Sequence, residues 1–243
     1  MTATSRTPEA IIALDVPTAA DAVALVDRLG PACGFYKVGL ELFTAAGPAV
    51  VETLRARDLD VFLDLKLHDI PNTVAAAARS AARLGVRLLT VHASGGAAMV
   101  RAAVEAFGAT GGGGVLAVTV LTSLDGPTVG AAWGRGVVDV PTEVLRLADG
   151  AAEAGAHGIV CAGSEAGAVR TRHGDALATL VPGVRLAGDA VGDQRRVVTP
   201  AQAAQAGARY VVLGRTVTAA ADPAAALMRA AGELTLAAGI AAR

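Results

Sequence analysis

Eight short runs of β-formers alternate with longer alanine-rich segments, and this alternation restricts the fold more than any other feature of the chain. The runs are AIIALDV (10–16), FYKVG (35–39), VFLDLKL (61–67), LLTVHA (88–93), VLAVTVL (115–121), GIVCAG (158–163), LVPGVRLAG (180–188) and YVVLGR (210–215). They are almost continuously apolar, as parallel strands covered on both faces must be. The intervening segments carry helix signals. Thr18 is placed to cap a helix over 19–29, Thr142 to open one over 143–154, and Thr199-Pro200 one over 201–206. Gly30, Gly85, Gly155 and Gly207 fall near helix ends. Eight β–α units in 243 residues predict an α/β fold, a (β/α)8 barrel forming a single domain over 1–243. A doubly wound open sheet is the alternative. It would place a glycine fingerprint after the first strand, where ALDVPT has none. The glycines at 111–114 read as a loop.

Composition narrows the function classes. With 53% hydrophobic and 18% charged residues, the chain can bury a sizeable core. A net charge of −1 and few aromatics provide neither the basic surface nor the stacking platforms of a nucleic-acid-binding protein. Charges interrupt every apolar run before it reaches membrane-spanning length, and MTATSRTPEA lacks the apolar core of a secretory signal. The expectation is a soluble cytoplasmic protein without a membrane partner. Cys33 and Cys161 lie in or beside apolar segments and read as buried thiols. No spacing of His, Cys or carboxylates demands a metal.

Within the third run, DVFLDLKLHDIPNT (60–73) places charges where the pattern otherwise asks for a buried strand. Residues two apart in a strand share a face, so Phe62, Asp64 and Lys66 point one way and Leu63, Leu65 and Leu67 the other. An unpaired charge there is costly, so these charges should pair with each other or with a ligand. A purely structural Asp–Lys pair is the competing reading.

Active sites of such barrels lie at the C-terminal ends of the strands. Asp15 is expected to end the first strand and Lys37 lies in the second. Asp64 and Lys66 end the third, with Asp69 in the loop beyond. His92 ends the fourth, Thr122 and Ser123 follow the fifth, Arg185 lies by the seventh, and Gly214-Arg215 close the eighth. Loops after the last two strands commonly bind phosphate in this architecture. Gly214 lets a ligand approach the backbone, Arg215 brings a fixed cation with several donors, and Gln194 offers an amide. Gly188 and Gly192 would let a loop of about 182–196 close over a ligand. Arg195 and Arg196 read as solvated. His68 reads as a packing or hydrogen-bonding residue, and His157 and His173 as incidental.

The segments ALD, KVG, DLKLHDIPNT, VTVLTS, VPGVR, GDQRRVVTP and VLGRTVT resemble the orotidine 5′-phosphate decarboxylase family, in order and spacing across nearly the whole chain. Asp-x-Lys-x-x-Asp alone is shared with related magnesium-dependent sugar-phosphate decarboxylases. The extension from His68 to Thr73 and the segment from Gly192 to Arg196 favour the orotidylate enzymes. Thr216 departs from the pattern, since many relatives have proline there. The resemblance implies a cofactor-free barrel that converts orotidine monophosphate to uridine monophosphate and carbon dioxide, the last step of pyrimidine nucleotide synthesis. It implies that Lys66 delivers a proton to C6 of the pyrimidine and that Asp64 and Asp69 flank it. It also implies a homodimer in which Asp69 and Thr73 reach in from the partner. Asp15 and Lys37 would hold the ribose hydroxyls, with Lys37 joining the charge array. Thr122 and Ser123 would lie at the pyrimidine. Arg185, Gln194, Gly214 and Arg215 would serve the phosphate.

These implied roles suit the chemistry. Loss of carbon dioxide from C6 leaves a carbanion with no adjacent carbonyl sink, so the site must stabilise charge electrostatically and supply a proton. Flanking carboxylates favour the ammonium form of a lysine. The remote phosphate can contribute binding energy to ordering the charges. Two alternatives stand beside this reading. One is a magnesium-dependent sugar-phosphate decarboxylase or aldolase, separable by chelation. The other is a nucleotide-binding sensor, which would not need the intact Asp64, Lys66 and Asp69 set.

Overall fold

All eight apolar runs become strands in the computed structural model, which describes residues 6–108, 113–187 and 196–241. They are β1 Glu9–Ala13, β2 Phe35–Gly39, β3 Asp60–Leu67, β4 Leu88–His92, β5 Gly114–Val118, β6 Gly158–Val160, β7 Ala178–Val184 and β8 Tyr210–Leu213. Every neighbouring pair is parallel, and β8 returns to β1, so the sheet closes into a barrel in chain order. The open-sheet alternative is thereby excluded. Closure leaves no sheet edge needing cover.

Strand alternation divides the apolar side chains between two cores. Ile11, Phe35, Phe62, Leu88, Leu116, Leu180 and Tyr210 fill the barrel interior. Their outward neighbours, including Ile12, Tyr36, Leu63, Leu89, Ile159 and Val211, belong to a larger layer between barrel and helices. Full burial of a side chain of this size contributes about 1.5–3 kcal/mol. Both cysteines are free and buried, as expected. Burial pushes each thiol above its ordinary value.

Helix starts follow local hydrogen-bonding chemistry. Thr18 caps Ala19–Leu29, its hydroxyl accepting from the Asp21 N–H at 3.1 Å. Thr199 caps Pro200–Gln205 reciprocally: its hydroxyl accepts from the Gln202 N–H, and the Gln202 side chain accepts from the Thr199 N–H. Thr142 does not open its helix. The element is Val140–Glu153, and Asp139 is the cap, accepting from the Thr142 N–H at 3.1 Å. The proline at 141 fits the first turn, which moves the start upstream of the threonine. The glycine loop is shorter than expected, since Gly114 already begins β5; residues 109–112 lie outside the described residues. Several strands also end earlier than their apolar runs. β1 stops at Ala13, so Asp15 sits two residues beyond it.

The N-terminal floor of the barrel is sealed by charges. Arg87 and Arg209 each reach Glu9 at 2.8 Å, and Arg87 also reaches Asp60 at 3.0 Å. The Arg87 guanidinium lies 4.8 Å from the centre of the Phe35 ring. His157 Nε2 stands 3.0 Å from the Tyr210 hydroxyl. Burial first, then Arg209 and Arg87, hold His157 below the ordinary histidine value, with Glu9 opposing. The folded state therefore favours neutral His157. Its contribution is complete above the unfolded value of 6.5 and is lost as pH falls below it. Between about pH 7.5 and 5.5 the thermal midpoint should fall further in the wild type than in His157→Gln. Equal falls in the two proteins would contradict this.

Candidate active site

The C-terminal mouth of the barrel gathers the charges that the sequence placed on strand ends. Lys66 Nζ lies 2.8 Å from both carboxylate oxygens of Asp64. Lys37 Nζ lies 3.9 Å from Asp64 Oδ2 and 2.7 Å from Asp15 Oδ1. The result is an alternating chain, Lys66–Asp64–Lys37–Asp15, that crosses from β3 through β2 to the loop after β1. The side chains of Asp64 and Lys37 are 12% and 11% exposed, against 29% for Lys66 and 60% for Asp15, so the middle of the chain is buried and its two ends are more open. Gly39 makes room for it: a Cβ there would lie 2.8 Å from Lys37 Nζ. Buried ion pairs contribute little net stability, so packing alone does not account for this array.

β3 changes geometry where its chemistry begins. Its register against β4 shifts between Leu63 and Leu67, and Lys66 has φ +51. The left-handed region costs an L-residue about 1–2 kcal/mol. The Lys66 N–H is taken by the Thr90 hydroxyl at 2.9 Å rather than by a strand carbonyl. That hydroxyl in turn donates to Asp64 Oδ1 at 2.9 Å. Thr90 is fully buried, and sequence reasoning missed it. The available signal was a lone hydroxyl within the apolar run LLTVH.

A cavity of about 310 Å3 opens over the array. Its polar wall includes Asp15, Lys37, Asp64, Lys66, Thr122, Ser123, Arg185 and Gly214, all anticipated from strand ends. Phe62, Val118, Val160, Leu180 and Val212 supply an apolar floor. The combination suits a small molecule with one flat apolar part and several polar groups. β7 breaks register between Val181 and Val184, and the Pro182 and Gly183 of that break also line the cavity. Beyond it, the Arg185 N–H donates to the Val198 carbonyl and its guanidinium to the Val184 carbonyl, each at 3.0 Å.

Other anticipated residues lie apart from the lining. Arg215 follows Gly214 and opens the short helix Arg215–Thr218 at the rim. Asp69 and Thr73 are exposed, Asp69 in the loop after β3 and Thr73 in the first turn of helix Pro71–Arg83. An Asp69 carboxylate oxygen accepts from the Ile70 N–H. Gln194 and most of the 182–196 loop lie outside the described residues. His92 does not line the cavity but packs against His68, ring centres 5.2 Å apart. Burial, then His68 and Lys66, hold His92 below the ordinary histidine value. Among the described residues no group of three or more His, Cys, Asp or Glu is arranged to hold a metal ion.

Arg196 departs from the sequence expectation. It is not solvated: it donates to the buried Glu165 carboxylate at 2.7 Å and to the Leu121 carbonyl at 3.2 Å. Glu165 also accepts from the Ala162 N–H and the Ser164 hydroxyl. Arg196 thus ties the turn before Thr122 to the start of helix Gly163–His173. Its buried partner comes from a helix 31 residues away, which local sequence pattern does not reveal.

A closed parallel barrel with this polar cavity at its C-terminal mouth defines the chain as a barrel enzyme. It belongs to the orotidine 5′-phosphate decarboxylase / HUMPS family, whose model matches residues 8–230. It is 51% identical over 232 residues to an orotidine 5′-phosphate decarboxylase of Halorhodospira halophila, covering 95% of this chain and 97% of that one. Identity with the Anaeromyxobacter dehalogenans protein of the same name is 56% over 215 residues, covering 88% and 92%. The crystal structure of orotidine 5′-phosphate decarboxylase from Lactobacillus acidophilus superimposes with a TM-score of 0.82 at 35% identity, covering 94% of this chain and 99% of that one. The protein is accordingly an enzyme, a carboxy-lyase.

Proposed function

We propose that this enzyme decarboxylates orotidine 5′-monophosphate to uridine 5′-monophosphate and carbon dioxide, the closing step of UMP synthesis in the cytoplasm, without a cofactor. The observation that carries the reading is Lys66 held against Asp64 at 2.8 Å on the wall of the cavity. Breaking the bond from C6 to the carboxylate leaves its electron pair on C6 as carbon dioxide departs. The Lys66 ammonium faces that developing charge and then transfers a proton to C6. Asp64, itself beside Lys37, keeps Lys66 in place, so little reorganisation accompanies the step. Asp15 and Lys37 hold the ribose hydroxyls, Thr122 and Ser123 meet the pyrimidine, and Arg185, Gly214 and Arg215 hold the phosphate, assisted by Gln194.

The same reading makes the active enzyme a homodimer, with Asp69 and Thr73 completing the partner's site. Two features support it. Neither residue lines its own chain's cavity, and the adjacent Ile70 is 67% exposed, an apolar surface residue suited to an interface.

The test is a spectrophotometric assay of orotidine monophosphate consumption in the presence of EDTA. The expected result is full turnover. Turnover only after a divalent metal is restored, or none, would favour the sugar-phosphate branch of the family instead.

Arg215→Ala should lower kcat/KM for the whole substrate by about tenfold to a hundredfold, the worth of a charge-assisted contact. A substrate analogue lacking the phosphate should be nearly indifferent to the change. Equal losses with both substrates would place the role of Arg215 elsewhere.

A further inference from the structure

We infer that Thr90 is a positioning residue that holds the reacting pair, Asp64 and Lys66, in register at the mouth of the barrel. The inference rests on the proposed decarboxylation, and its observation is independent of that reading. The hydroxyl of Thr90 makes two hydrogen bonds of opposite sense, accepting from the Lys66 N–H and donating to Asp64 Oδ1, both at 2.9 Å. Its single proton is committed to the carboxylate, so its lone pairs face the amide. Both partners need it. The register shift between β3 and β4 removes Lys66 from the regular ladder, and an orphaned N–H at a partly buried position is costly. Lys66 is also in the left-handed region, where nothing in its own conformational preference keeps it. The carboxylate oxygen that receives the Thr90 proton is one of the two that hold Lys66 Nζ. One side chain therefore fixes both ends of Lys66: its backbone directly and its ammonium through Asp64. Thr90 lies on β4 with 0% exposure and does not line the cavity, so it acts through Asp64 and Lys66 rather than on the substrate.

Valine matches threonine in shape but lacks the hydroxyl, and serine keeps the hydroxyl. Thr90→Val should lower kcat by about tenfold to a hundredfold, with KM within about twofold of wild type. Thr90→Ser should recover to within about threefold of wild type. The analogue lacking the phosphate should lose the same factor in Thr90→Val as the whole substrate, because the defect lies at the reacting end. Activities are expressed per folded site, measured by circular dichroism and titration with uridine monophosphate. If Thr90→Val does not fold, Thr90→Cys replaces it, with a thiol too weak a donor to restore the contact, and the same loss is expected. Wild-type turnover in the same assay separates the two readings. Absent wild-type turnover would remove the proposed reaction and this inference with it. An active wild type with Thr90→Val at wild-type kcat, or with Thr90→Ser no better than Thr90→Val, would overturn the inference alone.

Discussion

Lys66→Ala should abolish decarboxylation, lowering kcat by about 10^4-fold or more, because it removes both the proton donor and the cation facing C6. The fold should survive. Asp64 keeps its hydrogen bond from Thr90 and its neighbour Lys37 at 3.9 Å, so its carboxylate is not left alone. The barrel interior beneath is apolar and does not depend on Lys66. Turnover by stopped or continuous assay, beside a thermal melt and a circular dichroism spectrum, checks the expectation. Near-normal turnover in the folded variant would refute the role assigned to Lys66.

The second large effect concerns sharing of the site between subunits. Lys66→Ala and Asp69→Ala should each be inactive alone. Mixed in equal amounts after dissociation and reassembly, they should recover about one quarter of wild-type activity. Random pairing makes about half the dimers mixed. In each mixed dimer one site draws Lys66 and Asp69 from the two unaltered sources and the other site lacks both. If Asp69 acted within its own chain, every site would keep one defect and no activity would return. Heterodimers formed without any recovery would rule out the shared site.

The residues that could be read from the sequence share a simple geometric property. Asp64 and Lys66 are two apart in an apolar run, so alternation alone puts them on the inward face with Phe62. Lys37, Thr122, Ser123 and Gly214 follow from the rule that strand C-terminal ends meet at one mouth, and the cavity gathers them. Thr90 and Arg196 were not legible because their partners lie far along the chain. Asp64 is 26 residues from Thr90, and Glu165 is 31 residues from Arg196. The left-handed turn at Lys66 was hidden for a related reason. A regular strand would have accounted for the same alternation, and only the register against β4 exposes the break. Helix starts were legible where the capping threonine stands directly before the first helical residue, as at Thr18 and Thr199. The pattern failed at Thr142, where the helix begins upstream and Asp139 accepts from the Thr142 N–H itself.

The central claim is that the site stabilises negative charge at C6 beside Lys66, and exchange at C6 tests it most directly. Protonation of C6 must run backwards along the same path, so the enzyme incubated with uridine monophosphate in D2O should replace the C6 hydrogen with deuterium. The account predicts slow exchange of the C6 proton by NMR in the wild type and loss of that exchange in Lys66→Ala with the nucleotide still bound. No exchange in a wild type that decarboxylates, or equal exchange in both proteins, would contradict it.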